Sequence, residues 1–342
     1  MDPAVLHALL EGVPMPLVLI GPDARIVTTN RAAEALFGPD LAGRHYMVAI
    51  RQPLLVDPLE RVLAGGAAEQ ARYVVTSTGK DTIYRVLVAP LDGRGASLAF
   101  EDITDIEQAA DIRRDFVANV SHELRTPLTA LSGFIETLKG AARDDPAARD
   151  RFLTIMERET ARMNRLVGDL LSLSRVEAAE RVRPTEKVDL CALARSAAAT
   201  LRGLSDRAGV VIRLDLPAEP VWVPGDPDQL TQVLHNLIEN GVKYGGSGGE
   251  VCVTIFREDL VPALRGPGAT ISVSDRGEGI DPIHLPRLTE RFYRVDNHRS
   301  REHGGTGLGL AIVKHIANRH RGRLRISSEK GVGSTFAVTL PA

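Results

Sequence analysis

Ser121-His122-Glu123-Leu124-Arg125-Thr126-Pro127-Leu128-Thr129 places a nucleophile, an acid and a hydroxyl within two helical turns. A neutral imidazole carries a ring-nitrogen lone pair that can attack phosphorus, which makes His122 the candidate nucleophile. Glu123 beside it can orient or deprotonate the other ring nitrogen. Thr126 lies four residues on, one turn away on the same face, where its hydroxyl can hold a water against a phosphoryl group. Pro127 has no amide hydrogen and crowds the Glu123 carbonyl, so a helix bend is expected beside the histidine.

A second constellation is Asn236, Asn240 and Lys243 at i, i+4 and i+7, opposite Leu230, Leu234 and Leu237. Amide oxygens are hard ligands suited to Mg²⁺, and the lysine is placed for phosphate oxygens. Asp275-Arg276-Gly277-Glu278-Gly279 follows an apolar run. A carboxylate fixed there can accept from the exocyclic amine of adenine, whereas guanine offers a carbonyl at that place, so ATP should be preferred to GTP. Gly277 and Gly279 let the backbone turn tightly and approach a base. Arg291-Phe292-Tyr293-Arg294 comes next, and then Gly304-Gly305-Thr306-Gly307-Leu308-Gly309-Leu310. Amides at Gly305, Gly307 and Gly309, opening a helix, suit phosphate. The polar and basic stretch from Asp281 to His303 reads as a lid over the nucleotide, with Arg291, Arg294 and Arg299 in reach of phosphates.

Taken singly, each feature has a plainer reading: a solvated surface histidine, a polar helix face, a loop of glycines. Their joint order outweighs it. His235, His284, His298, His303, His315 and His320 lack the acid and proline context of His122 and are read as structural or solvated.

Positioning these groups requires distinct modules, since 342 residues exceed the roughly 250 that one core usually serves. Segments 17–20, 24–28, 72–76, 83–89 and 96–101 are rich in Val, Ile, Leu and Thr and read as strands. Turns are signalled at Gly21-Pro22-Asp23 and Leu91 to Gly95, and a short helix at 30–37. From Ile103 the pattern becomes helical, with Ile112, Phe116, Val120, Leu124, Leu128, Leu131, Ile135 and Leu138 at spacings of three and four. Gly140 to Pro146 ends that helix, and Phe152, Met156, Met163, Leu166, Leu170 and Leu173 form a second stripe. The pair predicts an antiparallel hairpin whose apolar seam is best covered by a second copy as a four-helix bundle. Beyond Arg183-Pro184, helices at 190–207, 227–244 and 308–319 mix with strands at 210–214, 251–256, 270–274, 323–328 and 335–340. Without regular strand–helix alternation or a G-x-x-x-x-G-K-[ST] loop, this predicts an α/β sandwich rather than a doubly wound sheet.

Composition narrows the field. A 44% apolar and 25% charged chain is an ordinary globular one. Its 42 Lys plus Arg against 44 Asp plus Glu give −2, without the basic footprint of a direct nucleic-acid binder. Cys191 and Cys252 lack metal-ligand spacing and read as reduced core thiols. The apolar run Val13 to Ile20 is too short to span a bilayer, and no signal peptide is evident, so the expected location is cytoplasmic, with membrane recruitment through a partner left open.

The string around His122 resembles the phosphoacceptor box of dimeric histidine kinases. The three later segments and the Asn236 to Tyr244 helix resemble the four ATP-binding boxes of the histidine-kinase catalytic domain. That superfamily includes type II topoisomerases, heat-shock chaperones and mismatch-repair ATPases. The amino-terminal module resembles a PAS sensor domain, with Asn30 at its helix start and Asp102-Ile103-Thr104 leading into the signalling helix. No haem- or flavin-type residue stands out in it, and His7 and His45 read as surface. The order of modules resembles phosphate-regulon sensor kinases without their membrane segment. The implied fold is multidomain α+β: a PAS-like domain at 1–102, a helical hairpin forming a dimeric four-helix bundle at 103–182, and a GHKL-type α/β sandwich ATP-binding domain at 183–342.

In such a sensor histidine kinase of a two-component system, His122 would be phosphorylated with Glu123 as base. The E-x-x-T pattern, Glu123 to Thr126, would mark a kinase that also dephosphorylates its partner. ATP would be held by Asn236, Asn240, Lys243, Tyr244, Asp275, Gly277, Gly279, Arg294, Gly305, Thr306, Gly307, Leu308, Gly309 and Thr335, with Mg²⁺ on Asn240 and Asn236. The implied partners are a response regulator with a receiver-domain aspartate and a second copy of the chain. ATPases of the superfamily carry glutamate where this chain has Asn236; an amide cannot take a proton, so slow hydrolysis is expected. Glu239 is read as lying on another face. Gly241 stands where the family usually has alanine, which should loosen that helix by up to about 1 kcal/mol. The competing readings are a phosphatase-dominated enzyme, an ATP-sensing scaffold with idle catalysis, and an ATP-driven conformational machine.

Overall fold

The structure is a computed structural model describing residues 8–77, 79–91, 95–180, 182–245, 248–262, 264–296 and 305–342. His7, His298, Arg299, His303 and Gly304 lie outside the described residues, as does the centre of the turn expected at Leu91 to Gly95. The chain divides into two compact units, residues 1–118 and 119–342.

The first unit is built on an antiparallel sheet of β1 (Leu17–Ile20), β2 (Ile26–Thr29), β3 (Glu69–Ser77), β4 (Lys80–Pro90) and β5 (Ala96–Asp102), in the order β2-β1-β5-β4-β3. Alternation turns Val86, Val88, Leu98 and Phe100 to the core, with Val86 opposite Phe100 and Val88 opposite Leu98. Phe100 centres an aromatic cluster, 5.2 Å from Phe37, 5.7 Å from Tyr73 and 6.2 Å from Tyr84 between ring centroids. Asn30 caps α1 (Arg31–Phe37) by accepting from the Ala33 amide. The same side chain, 1% exposed, accepts from the Leu17 amide and donates to the carbonyls of Val13 and Met15, tying the chain entry to the sheet. Helix α2 (Pro53–Leu63), which the sequence reading does not place, buries Leu55, Leu59 and Val62 at helical spacing. Pro53 and Pro58 mask it: the first is a favoured opening residue, the second costs one backbone bond within an otherwise well-packed helix. His45 is exposed and caps the short turn Tyr46–Val48.

Helix α3 (Thr104–Lys139) leaves this sheet through Asp102, whose carboxylate accepts from both the amide and the hydroxyl of Thr104. Thr104 Oγ1 in turn accepts from the Ile83 amide of β4, so the helix start is bonded to two strands.

In the second unit, the part of α3 beyond Ala118 runs antiparallel to α4 (Pro146–Ala178), which brings Arg162 to Glu123 and Phe152 to Phe134. Asp145 caps α4 on the Ala148 amide, and Phe134 stacks on Phe152 near the loop at 5.4 Å. Leu166, Leu173 and Val176 are buried, while Leu128, Ile135, Leu153, Val167 and Leu171 remain exposed. Among the described residues no helix is long and apolar enough to cross a membrane.

The remainder pairs α5 (Leu190–Ala208), α6 (Pro227–Tyr244) and α7 (Gly309–Arg319) with a sheet of β7 (Val211–Asp215), β9 (Glu250–Val261), β10 (Gly266–Asp275), β11 (Arg323–Glu329) and β12 (Gly333–Pro341). Its order is β11-β12-β10-β9-β7, with β7 and β9 parallel and the other pairs antiparallel. A separate two-stranded sheet joins β6 (Glu186–Asp189) to β8 (Trp222–Gly225); the sequence reading leaves both unassigned because four residues carry too little periodicity.

A buried histidine fixes two helices together. His320, fully buried at the end of α7, donates through Nδ1 to the Ile316 carbonyl at 2.8 Å, and its Nε2 accepts from the Asp226 amide at 3.0 Å. Asp226 caps α6 and also pairs with Arg319 at 3.1 Å. Burial holds the His320 imidazole below its ordinary pKa, because an imidazolium there would lose its water and its acceptor role. Below the unfolded-chain value, about 6.5, the unfolded chain binds a proton that the folded chain refuses, so stability falls as pH drops until the folded pKa is passed. Melting between about pH 7.5 and about pH 5.5 should show a falling Tm, and His320→Gln should be less stable with a shallower slope. An unchanged slope in the variant would remove His320 from this role.

Candidate functional site

Helix α6 owes its two faces to sequence. Leu230, Val233, Leu234, Leu237, Ile238 and Val242 are buried against the sheet and neighbouring helices. Thr231, His235, Asn236, Asn240 and Lys243 line a cavity of about 920 Å³ on the other side. Tyr244, Asp275, Gly279, Arg294, Gly305, Thr306, Gly307 and Gly309 line it too, so residues as far apart in sequence as Thr231 and Gly309 converge on one space. The volume lies within the common range for ligand pockets, roughly 300–1,000 Å³.

Asp275 ends β10 beside this cavity and accepts from the Gly277 amide at 2.9 Å. Burial raises its carboxyl above the ordinary carboxylate range, and amide donors at Gly277 and Ser334 partly oppose the rise. Gly277 lies tight against Gly245 and Tyr244, where a Cβ would stand 2.7 Å from the Gly245 Cα. Gly279 has φ +66°, and a Cβ there would come within 2.0 Å of the Glu329 carbonyl oxygen. Gly279→Val should therefore open the β11–β12 turn from the cavity wall, lowering stability by about 1–3 kcal/mol and abolishing nucleotide binding. Melting and nucleotide titration check this; unchanged values in both would show that the wall tolerates a side chain.

On the opposite side, Gly307 has φ +74°, and its carbonyl accepts from the Phe292 amide at 2.8 Å. A Cβ on Gly307 would meet the Phe292 backbone at 2.9 Å, so this close approach requires glycine. Phe292 itself takes φ +64°, an uncommon conformation for a bulky residue. Asn236 Nδ2 donates to the Gly309 carbonyl at 3.2 Å, which leaves Oδ1 as the amide's acceptor. The buried Arg294 side chain, 5% exposed, has an Nε with no hydrogen-bond partner. Glycine-lined walls, two asparagine amides and an orphaned guanidinium nitrogen fit a magnesium-bound nucleotide: closely approached backbone for a flat base, oxygen ligands for a hard cation and a donor for phosphate.

Several expected site residues stand elsewhere. Thr335 is not on the cavity wall: strand alternation turns Ser334 and Phe336 inward and sends Thr335 to the other face, where its hydroxyl meets Ser274 at 3.0 Å. Leu308 is fully buried beneath the loop, its amide donating to Thr306 Oγ1 at 3.3 Å. Glu239 shares the cavity wall with Asn236, contrary to the sequence reading, and pairs with Lys243 at 2.7 Å; residues three or four apart on a helix are neighbours. Gly241 is a packing site rather than a weakness, since a Cβ would press on Val251 at 3.0 Å. His235 and His284 line the cavity, and His284 Nδ1 lies 2.7 Å from the Tyr293 hydroxyl. His315 sits between Glu177 and Glu180 of the hairpin.

His122 is exposed on α3 and outside the cavity wall. Thr126 shares its face, but its hydroxyl donates to the His122 carbonyl at 3.1 Å rather than projecting outward. Glu123 accepts from Arg162 of α4 at 2.6 Å and from Arg294 at 3.2 Å, so one cavity arginine touches the neighbour of the candidate nucleophile. Asp169 and Arg165 of α4 also line the cavity. Nothing in their local sequence marks them, because their role depends on how the hairpin lies against the sandwich.

Three family models match in order: the PAS fold over residues 10–108, the His Kinase A (phospho-acceptor) domain over 112–179, and the histidine kinase-, DNA gyrase B- and HSP90-like ATPase over 225–342. The chain is 45% identical over 236 residues to the phosphate regulon sensor protein PhoR of Pseudomonas aeruginosa, covering 69% of this chain and 51% of that protein. It is 39% identical over 250 residues to the sensor-like histidine kinase SenX3 of Mycolicibacterium smegmatis, covering 73% and 63%. The chain thus spans between half and two thirds of the length of these two relatives. Among solved structures, histidine kinase ThkA in complex with response regulator protein TrrA aligns over 98% of this chain and 97% of that one. At 22% identity and a TM-score of 0.52, that likeness concerns the fold alone.

Proposed function

The chain belongs to the sensor histidine kinases of two-component systems, and we propose that it phosphorylates its own His122 from ATP and passes the phosphoryl group to a response-regulator aspartate. What supports this most is Arg294, which lines the cavity with one face and donates to Glu123, beside His122, with the other.

Asp275 would accept from the adenine amine, with Gly277 and Gly279 admitting the ring edge. Lys243, Arg294 and the amides from Gly305 to Gly309 would hold phosphate oxygens. Asn240 and Asn236 would hold Mg²⁺, which when bound neutralises charge on those oxygens. A ring nitrogen of His122 forms the bond to the γ-phosphorus as the bond to the bridging oxygen breaks, and ADP departs with that electron pair. The proton on the attacking ring passes to Glu123, once that carboxylate is released from Arg162 and Arg294. The receiver aspartate then displaces the imidazole from phosphorus.

Thr126 fits a second activity on the same regulator, orienting water for phosphate removal, provided its hydroxyl leaves the His122 carbonyl. Two copies would pair through the exposed hairpin leucines, isoleucine and valine as a four-helix bundle, since a two-helix unit cannot cover such a seam. Because ATP and receiver domains are cytoplasmic, the catalytic unit would work there. The signalling unit and hairpin are assigned to 1–102 and 103–182, and the ATP-binding unit to 183–342.

Incubation with γ-labelled ATP and Mg²⁺ should give acid-labile, alkali-stable label that a purified receiver domain then removes. Nucleotide binding without such label would favour an idle scaffold.

A further inference from the structure

Three side chains of the segments expected to hold ATP, Thr306, Arg294 and Arg291, each hold a carboxylate of the helical hairpin. Thr306 Oγ1 donates to Asp169 Oδ2 at 2.6 Å, Arg294 donates to Glu123, and Arg291 pairs with Glu177. Of these three carboxylates only Asp169 lines the cavity. Burial raises its carboxyl above the ordinary range, Glu239 adds to the rise, and Thr306, Lys243 and Arg165 oppose it. Its surroundings thus include groups a phosphate oxygen would seek, a hydroxyl donor from the glycine loop and two cations, beside the opposing Glu239 carboxylate.

The direction of the triphosphate follows from the proposed reaction. Its terminal phosphorus would face the hairpin, where Arg294 joins the cavity wall to Glu123 beside His122. Asp169 stands on that same hairpin, at the cavity wall. We infer that Asp169 is a specificity-determining residue that reads the number of phosphates: the hairpin-docked chain accepts a nucleoside diphosphate, whereas a terminal phosphoryl group collides with the Asp169 charge. Binding of a triphosphate therefore breaks the Thr306–Asp169 bond and undocks this side of the hairpin, while a diphosphate leaves it in place. The inference rests on the reading of this cavity as a nucleotide site.

Isothermal titration of the full chain with ADP and with the β,γ-imido analogue of ATP, both with Mg²⁺, tests it. Asp169→Asn keeps the shape and the contact to Thr306 but removes the charge, and Asp169→Ala removes both. Like-charge repulsion in a partly buried site predicts that both variants bind the triphosphate analogue about fivefold or more tighter, with ADP affinity changed by less than about twofold. Equal changes for both nucleotides, or none, would overturn the inference while leaving the nucleotide site intact. Failure of wild type and variants to bind either nucleotide would sink the nucleotide reading and the inference with it.

Discussion

With γ-labelled ATP and Mg²⁺, His122→Gln is expected to take up no acid-labile label, a loss to background against the wild-type signal. Glutamine keeps the helix propensity and polarity of the site, but its amide nitrogen has no lone pair available to attack phosphorus. His122 is exposed and makes no contribution to the cavity wall. The substitution should accordingly leave stability within about 0.5 kcal/mol of wild type and nucleotide affinity unchanged. That separation is what makes the experiment decisive: binding persists, transfer stops. Acid-labile label persisting in His122→Gln would move the acceptor to another histidine, and label that survives acid would point to a phosphate ester of a hydroxyl side chain.

The second large effect falls at the other end of the cavity. Asp275→Asn should weaken ATP binding by about ten- to a hundredfold and erase most of the preference for ATP over GTP. An asparagine can keep the bond from the Gly277 amide, so the local turn survives. What changes is the group facing the base, where an amide NH₂ meets the adenine NH₂ donor to donor. Burial already holds the Asp275 carboxyl above the ordinary range, so acidification should protonate it earlier than a surface carboxylate. Wild-type ATP affinity should then decline as pH falls, and Asp275→Asn should lack that component. Competition titrations with ATP and GTP across pH measure both; an unaltered ATP-to-GTP ratio in the variant would exclude Asp275 from base recognition.

Much of this fold is legible locally. The α6 stripe of Leu230, Leu234 and Leu237 opposite Asn236, Asn240 and Lys243 follows from a 3.6-residue period, and its ends from Asp226-Pro227 and the glycines after Tyr244. Strand β1 and the two hairpin helices are marked just as plainly by period and by caps. Helix α2 is hidden by its prolines, and β6 and β8 by their brevity. Glu239 was misplaced through helix geometry that the sequence already contained, whereas Thr335 depends on which face of β12 meets the cavity, a matter of sheet packing.

Residue type and spacing along single helices, strands and loops determine what chemistry this protein carries: an imidazole beside an acid on one helix, amides and a lysine on another, glycines where backbones must close. Those are short-range properties, set by backbone periodicity and side-chain functional groups. Only the tertiary structure decided which of these groups hold one another. Asp169 on Thr306, Glu123 under Arg162 and Arg294, and His320 on the Asp226 amide join residues between 39 and 171 positions apart. Such pairings arise where packed elements leave a charge or donor away from water, and burial then forces it to find whichever partner the fold has brought near.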